Sequence, residues 1–244
     1  MVGRDENGAV LVVQHIPDGG PRRVGTWLAG AGLDVRVIRA YAGEELPATL
    51  GGRPLLVLGG DYLPDDDARA PWLPATRRLV AQALDDGSPL LGICLGGQLL
   101  AQVAGGTVRA EHGTPEYGSV SVRLRPEATA DPLLHGLGPV VPAIERHVDA
   151  ITELPPGAVW LASSDACPYQ AFRVGERAWG VQFHPEAEAD RIAAWDPAPL
   201  AARGIDRERL HARALADEGA AVAAWSVVTA RFAALCAGRR PVGR

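Results

Sequence analysis

The chain has 244 residues, a formal net charge of −5, and a composition that is 47% hydrophobic and 22% charged. These values are typical of a soluble globular protein whose core needs no disulfide bonds for support. The negative charge and the lack of a basic stripe argue against nucleic-acid binding, and the absence of lysine excludes lysine chemistry such as Schiff bases.

Short apolar runs alternate with helical patterns through roughly the first hundred residues. Strands are predicted where valine and leucine cluster, and helices where apolar residues recur every three or four positions. The predicted strands are Ala9–His15, 33–40, 54–60 and 88–94, and the predicted helices are 22–31, 72–87 and 96–106. This alternation predicts βαβ units and a parallel sheet.

The second half of the chain has strands with few helices between them. They are predicted at 120–126, 158–164, 169–174 and 178–183, and one or two helices are predicted at 206–237. We therefore expect an α/β fold in a single domain over residues 1–244, with a mixed, mostly parallel sheet flanked by helices and an antiparallel extension. The expected core is about 8–190, and the C-terminal helices are expected at about 188–238.

The cysteines are widely spaced and odd in number, which argues against a disulfide framework. No Cys-x-x-Cys pair is present, so we expect no metal site and no cofactor. We find no charged-then-apolar leader and no apolar run near 18 residues, so we expect neither secretion nor a membrane partner. A reducing cytoplasm is the expected compartment.

The stretch GICLGGQLLA at 92–101 places Cys94 between a predicted strand and a predicted helix. A nucleophile on such a turn needs neighbours without side chains, which Gly92 and Gly96 supply. The thiol would project beyond the carboxyl end of the sheet, at a helix N-terminus that favours thiolate, and the Leu95 amide would face the same space. A buried structural thiol explains the stretch equally well.

The stretch GVQFHPEAE at 180–188 ends an apolar strand with His184, Pro185 and Glu186. On extended backbone, residues two apart lie on one side, so Glu186 can orient the imidazole while its other nitrogen faces a thiol. Of the six histidines, we expect His184 alone to have a carboxylate two residues on at the end of an apolar strand. A surface His and Glu at a strand end is the alternative.

With both motifs in view, the sequence resembles the class I glutamine amidotransferases, which use a Cys–His–Glu triad. The family pattern Gly-x-Cys-x-Gly-x-Gln matches Gly92, Cys94, Gly96 and Gln98, and Phe-His-Pro-Glu matches residues 183–186 in full. The resemblance covers about 8–190 and implies the family's flavodoxin-like fold. The terminal helices are similar to those of freestanding members that resemble the amidotransferase domain of GMP synthase.

The resemblance implies roles for the matching residues. Cys94 would attack the side-chain amide carbon of glutamine and form a γ-glutamyl thioester. His184 would protonate the leaving ammonia and then activate water, and Glu186 would orient His184. The amides of Gly60 and Leu95 would bind the oxyanion.

The resemblance also implies a binding site for the amino-acid part of the substrate. Gln98 would help to hold it, together with the segment that contains His147, Val148 and Asp149. Two departures from the family pattern occur here: Asp61 replaces a proline, and Val148 replaces a glycine. A β-branched residue resists positive φ, so the loop at Val148 is expected to differ from that of the family, and Asp61 places a carboxylate near the site. Both departures bear on which γ-glutamyl compound is bound.

Other polar and aromatic residues receive weaker predictions. His15, Glu116 and Tyr117 are candidates for lining the site. Cys167 and Cys236 are expected to be packing thiols, and Trp72 and Trp225 are expected to pack helices on the sheet.

Three functions follow from the sequence. The first is hydrolysis of glutamine, a small-molecule substrate, with ammonia passed to a partner synthetase. The second is a freestanding γ-glutamyl peptidase or hydrolase without a partner. The third, a catalytically silent regulatory protein, conflicts with the intact Cys–His–Glu set.

Overall fold

The computed structural model of the chain describes residues 9–238. The strands in this range are β1 Val10–Gln14, β2 Val35–Arg39, β3 Leu55–Val57, β4 Leu90–Ile93, β5 Thr107–Arg109, β6 Glu116–Leu124, β7 Val140–His147, β8 Ala150–Glu153, β9 Val159–Ser163, β10 Ala171–Val174 and β11 Ala178–Val181. The helices are α1 Arg22–Gly30, α2 Leu73–Asp86, α3 Leu95–Val103, α4 Asp190–Ala193, α5 Pro197–Ala201 and α6 Arg207–Cys236.

The main sheet has nine strands in the order β2-β1-β3-β4-β11-β10-β9-β6-β7, and β5 and β8 form a separate pair. The first five strands in that order are parallel, and the pairs from β11 to β7 are antiparallel. The predicted fold class is thus confirmed: a mixed α/β sheet with a parallel core and an antiparallel extension.

Two apolar cores cover the two faces of the parallel strands. Alternate residues of β1 point to opposite faces, so Val10 and Val12 pack with α1 and α6, whereas Leu11 and Val13 pack with α2 and α3. Both faces of these strands are buried, which explains why the strands read as continuous apolar runs. The carboxyl ends of β3, β4 and β11 meet at one edge of the sheet, where ligands bind in such folds.

The structure adds β5, β7 and β8, which the sequence pattern did not reveal. Strand β7 contains Pro142, buried Glu145 and exposed Arg146, so its polar and apolar residues do not alternate cleanly. The expected binding segment at 145–151 therefore begins on a strand, and only Val148 and Asp149 form the turn between β7 and β8.

Helix α6 is a single 30-residue helix. By length and composition alone it is apolar enough to cross a membrane, although no apolar run near 18 residues was expected from the sequence. In the most apolar 18-residue window of the helix, 33% of the residues are buried. The helix packs against β6, β7, α1 and α4, with Trp225 and Phe232 fully enclosed in the core. These contacts bury one part of the helix surface against the domain.

Candidate active site

Cys94 occupies the turn between β4 and α3 in a strained backbone conformation, with φ 52° and ψ −109°. Non-glycine residues with positive φ are uncommon and cluster at functional sites. The turn is held on both sides, because the Cys94 amide donates to the carbonyl of Val181 at 2.8 Å and its carbonyl accepts from the amide of Gln98 at 2.9 Å. The surrounding structure thus fixes the direction of the thiol.

The glycines around Cys94 allow strand and helix to approach closely. A Cβ on Gly92 would lie 2.3 Å from the carbonyl oxygen of Gly96, and one on Gly96 would lie 2.0 Å from that of Val57. A Cβ on Gly97 would lie 2.7 Å from the carbonyl oxygen of Val181. The prediction that side chains at Gly92 and Gly96 would meet the helix and the strand is confirmed.

His184 and Glu186 form a hydrogen-bonded pair at the edge of the sheet next to Cys94. The His184 amide donates to the carbonyl of Ile144 at 2.8 Å, and its ring Nδ1–H donates to Glu186 Oε1 at 2.8 Å. Burial, the largest influence, lowers the pKa of His184, but the charges of Glu186 and Cys94 and their hydrogen bonds raise it well above its usual value. An imidazolium beside a thiol favours the reactive thiolate.

The loop that carries this pair is braced by α1 and α6. Arg23 donates from Nε to the carbonyl of Pro185 at 2.9 Å and from Nη1 to Glu218 at 2.5 Å. Glu218 also accepts from the Ala189 amide at 3.1 Å, and Phe183 packs on Trp225 with ring centroids 4.5 Å apart. Sequence reasoning missed these contacts because Arg23 and Glu218 are 195 residues apart.

A cavity of about 420 Å³ lies over Cys94 and is lined by His184, Glu186, Gly59 and Gly60, among others. Leu95 supplies the first N–H of α3, and the first N–H groups of a helix have no partner within the helix. The structure therefore brings a thiol, an imidazole and a carboxylate together at one cavity, with Gly60 in its wall and a free helix end beneath it.

A smaller cavity of about 200 Å³ adjoins the first, since both are lined by Asp61, Arg146, Trp195 and Asp196. Of these two cavities, the smaller one is lined by His147, Val148 and the candidate Tyr117. The non-glycine residues with positive φ in the described range are Arg22, Cys94 and Glu111, so the φ of Val148 is negative. The turn thus accommodates valine without backbone strain.

Behind the cavities, His147 belongs to a buried polar cluster. Its Nδ1–H donates to the carbonyl of Asp149 at 3.0 Å and its Nε2–H to Glu116 at 3.1 Å, so the ring is a cation. Burial lowers the pKa of His147, but the hydrogen bond to Glu116 and the charge of Glu145 outweigh it and raise the pKa to about 9. Burial raises the pKa of Glu145 to about 8.

Cys167 lies against this cluster, and one donor atom each of Glu116, His147 and Cys167 falls within 4.8 Å of the others. Burial raises the pKa of the Cys167 thiol to about 12, so it stays protonated. The same Glu116 oxygen accepts from His147 and, at 2.7 Å, from Gln170. The Glu116 side chain is thus hydrogen-bonded to His147 and Gln170, and the Cys167 thiol lies beside this pair of bonds.

Two predicted binding residues connect Cys94 to the cluster and do not line either cavity. The Gln98 side chain donates from Nε2 to the carbonyl of Asp149 at 3.3 Å and to Gln182 Oε1 at 3.1 Å. Gln182, which sequence reasoning missed, donates to Cys94 Sγ at 3.5 Å. The Asp149 carboxylate accepts from the Glu111 amide. Direct contact of Gln98 or Asp149 with substrate stays a prediction.

His15 does not line the cavity. It is fully buried, its Nδ1 accepts from Trp72 Nε1 at 2.9 Å, and burial lowers its pKa to about 4. A neutral ring in this position supports the strand end beside Gly60, where a Cβ would lie 2.9 Å from His15 Cβ. Cys236 is a partly buried free thiol whose pKa burial raises to about 12.

Comparison with known proteins agrees with this geometry. The sequence profile described as "Glutamine amidotransferase class-I" matches residues 26–194. A glutamine-hydrolyzing GMP synthase of Porphyromonas gingivalis is 39% identical over 148 residues, which are 60% of this chain and 27% of that protein. One subunit of the glutamine-hydrolyzing GMP synthase of Sulfurisphaera tokodaii is 43% identical over 110 residues, which are 45% of this chain and 56% of that protein.

The chain thus spans between about a quarter and about half of the length of these relatives. Among solved structures, a glutamine amidotransferase from Thermotoga maritima superposes with a TM-score of 0.80 over 94% of this chain and 99% of its own. Its sequence identity is 23%, so this likeness supports the fold alone.

Proposed function

Because the chain belongs to the class I glutamine amidotransferase family, whose profile covers residues 26–194, we propose that it hydrolyses the side-chain amide of glutamine with Cys94 as nucleophile. The observation that carries the proposal is the meeting of three groups at one cavity. Cys94 lies on a strained turn, His184 is beside it, and Glu186 accepts a hydrogen bond from the far side of the His184 ring.

The mechanism follows from these positions. The Cys94 thiolate attacks the amide carbon, and the resulting oxyanion accepts hydrogen bonds from the amides of Leu95 and Gly60. As the carbon–nitrogen bond breaks, His184 Nε2 transfers its proton to the leaving ammonia, which leaves a γ-glutamyl thioester.

Deacylation uses the same imidazole in the opposite direction. His184, now neutral, removes a proton from water as the water attacks the thioester carbonyl. Collapse of the second oxyanion expels the Cys94 thiolate and releases glutamate. Glu186 holds the ring orientation in both halves and offsets the charge of the imidazolium.

The fate of the ammonia is a proposal of its own. We propose that a separate synthetase chain receives it, and this rests on relatives whose names describe one subunit of a glutamine-hydrolyzing GMP synthase. The acceptor molecule is left open by these names, because they describe other proteins.

One observation favours a second candidate, a γ-glutamyl hydrolase that acts without a partner. The cavity over Cys94 has a volume of about 420 Å³, whereas ammonia has the size of a water molecule, which occupies about 30 Å³ in the liquid. If the adjoining cavity of about 200 Å³ at Val148 takes the amino-acid part of the substrate, the larger cavity has room for an amine bigger than ammonia.

Replacement of Cys94 tests the chemistry common to both candidates. We expect Cys94→Ala to lower glutamine hydrolysis by roughly 10⁴-fold or more, since removal of a triad nucleophile has effects of this order. A diazoketone analogue of glutamine should label the native protein at Cys94, detected by peptide mass spectrometry.

The control variant is Cys236→Ser, which removes another free thiol outside both cavities. It should keep both glutamine hydrolysis and labelling. Active protein that is labelled elsewhere, or a Cys94→Ala variant with native turnover, would show that the nucleophile is assigned wrongly.

A further inference from the structure

The larger cavity is lined by three arginines that the hydrolysis of glutamine leaves unused, together with the acidic residues Asp18, Asp61, Glu186 and Asp196. Arg22 and Arg191 line the part of this cavity that is not shared with the smaller one, and Arg146 lines the shared part. Arg191 is half-buried on α4, and Arg22 begins α1. Three guanidinium side chains thus border one space over Cys94.

No carboxylate forms an ion pair with these three arginines within residues 9–238. Arg22 donates to the backbone carbonyl of Asp18 at 2.6 Å, and Arg146 lies over the Trp195 ring at 5.6 Å from the centroid. The side chain of Arg191 has no hydrogen-bond acceptor in the described part of the chain. Elsewhere in the same range Arg23, Arg77 and Arg173 are all paired with carboxylates.

Both basic and acidic neighbours shift the pKa of Arg191, and none of the acidic neighbours forms an ion pair with it within residues 9–238. Its pKa is lowered, first by burial and then by the nearby charges of Arg22 and Arg146, while Asp18 and Glu188 act in the opposite direction. Asp18 and Glu188 are both exposed. Of the other acidic residues that line this cavity, Glu186 is hydrogen-bonded to the His184 ring, and Asp61 and Asp196 line the part that is shared with the smaller cavity.

Backbone strain also occurs at this end of the cavity. Arg22 has φ 40°, and it is one of three described non-glycine residues with positive φ, of which Cys94 is another. Arginine gains nothing from this conformation by itself, so the surrounding contacts impose it. The strained backbone and the bond to Asp18 hold the Arg22 side chain in place at the rim.

The two cavities divide the site into an acyl side and a leaving side. If the γ-glutamyl part extends from Val148 to Cys94, as the family resemblance implies, the Arg22–Arg191 end faces the nitrogen that leaves. We propose that this end binds a carboxylate on the leaving amine, so that the preferred substrates are γ-glutamyl amides of amino acids. This inference rests on the proposed Cys94 chemistry and names the substrate class for it.

The reaction keeps its atom balance with such a substrate. Cys94 Sγ bonds to the γ-carbonyl carbon, and the bond from that carbon to the amine nitrogen breaks. His184 supplies the proton that converts the leaving nitrogen into a free amino acid. Water then cleaves the thioester and leaves glutamate, so no further reactant is required.

A matched pair of substrates tests the inference. γ-Glutamylglycine and γ-glutamylglycinamide have almost the same size, but only the first has a carboxylate on the leaving side. We expect kcat/KM for the first to exceed that for the second by about tenfold, because charge-assisted hydrogen bonds are roughly twice as strong as neutral ones. Added salt should narrow the difference, since none of the three arginines is fully buried.

Variants at Arg191 locate the effect. Arg191→Gln should bring the ratio of the two kcat/KM values close to one, and Arg191→Lys should retain part of the preference. Arg36→Gln is the control, because Arg36 is exposed on the edge strand β2 and lines neither cavity. It should leave the ratio unchanged.

The outcomes separate this inference from the proposed function. Glutamine hydrolysis that depends on Cys94, combined with equal kcat/KM values for the two dipeptide substrates, would overturn the carboxylate subsite alone. An unchanged ratio in Arg191→Gln would do the same. Absence of Cys94-dependent hydrolysis of glutamine and of both dipeptides would overturn the proposed function, and the subsite with it.

Discussion

Two histidines with carboxylate partners lie near Cys94, and their rings differ in the contacts of the second nitrogen. His147 uses both ring nitrogens as donors, one to Asp149 and one to Glu116. His184 uses Nδ1 toward Glu186, and its ring is also hydrogen-bonded with the Cys94 thiol at the cavity. A general base must reach the reacting thiol, and this contact supports our proposal that His184 transfers protons and that His147 has a structural role.

The comparison also bears on an expectation from the sequence. His184 was expected to be the one histidine with a carboxylate two residues on at the end of an apolar strand, and the structure shows that a strand of mixed polarity ends in a similar pair. His147 ends β7 and has Asp149 two residues on. The two pairs differ in three dimensions, because Asp149 offers His147 its carbonyl whereas Glu186 offers His184 its carboxylate.

Replacement of His184 should lower kcat far more than replacement of His147. We expect His184→Asn to lower kcat for glutamine by roughly 10³-fold, within the range that proton transfer contributes. His147→Asn should lower thermal stability more than kcat, because it leaves Glu116 buried without its hydrogen-bonded cation. Steady-state ammonia release and thermal unfolding of both variants provide the readouts, and equal losses of kcat would contradict the distinction.

Neutralising the two carboxylate partners should separate catalysis from stability. Glu186→Gln should lower kcat by on the order of 100-fold, since an uncharged partner does not offset the imidazolium. Glu116→Gln should instead lower the free energy of unfolding by about 3 kcal/mol, the scale for breaking a buried ion pair. Urea unfolding and initial rates measure the two effects, and a reversed pattern would refute the assignment.

The buried cluster should also make stability depend on pH. The pKa of Glu145 rises from 4.5 to about 8 on folding and that of His147 from 6.5 to about 9. Both folded values exceed the unfolded ones, so the folded state holds more protons. The stability from these groups is present at low pH and is lost as the pH rises, with both contributions falling between about pH 6.5 and 8.

Glu145→Gln removes one of these two titrations. We expect it to reduce the slope of the unfolding free energy against pH by about 1 kcal/mol per pH unit, since one proton difference corresponds to about 1.4 kcal/mol per unit. Urea midpoints at pH 6.5, 7.5 and 8.5 measure the slope. The exposed Glu176→Gln serves as control and should retain it. A slope in Glu145→Gln equal to that of the native chain would show that Glu145 does not titrate in this range.

The sequence predicted the parts of the molecule whose patterns are local. The parallel strands appear as apolar runs because both faces are buried, and the turn at Cys94 is visible because its glycines are adjacent in the chain. Strand β7 was missed because its buried residues include Glu145 and its exposed ones include Arg146. Partners such as Gln182 and the Arg23–Glu218 pair depend on chain segments that meet only after folding.

Helix α6 supplies Trp225 and Glu218 to the underside of the loop that carries His184. Neither residue lines the cavity over Cys94. In a genetic screen for lost activity, substitutions at these positions would therefore be recovered together with those of the triad. A survey that ranked positions by distance from the substrate would overlook them, although the positions of the imidazole and its carboxylate depend on this helix.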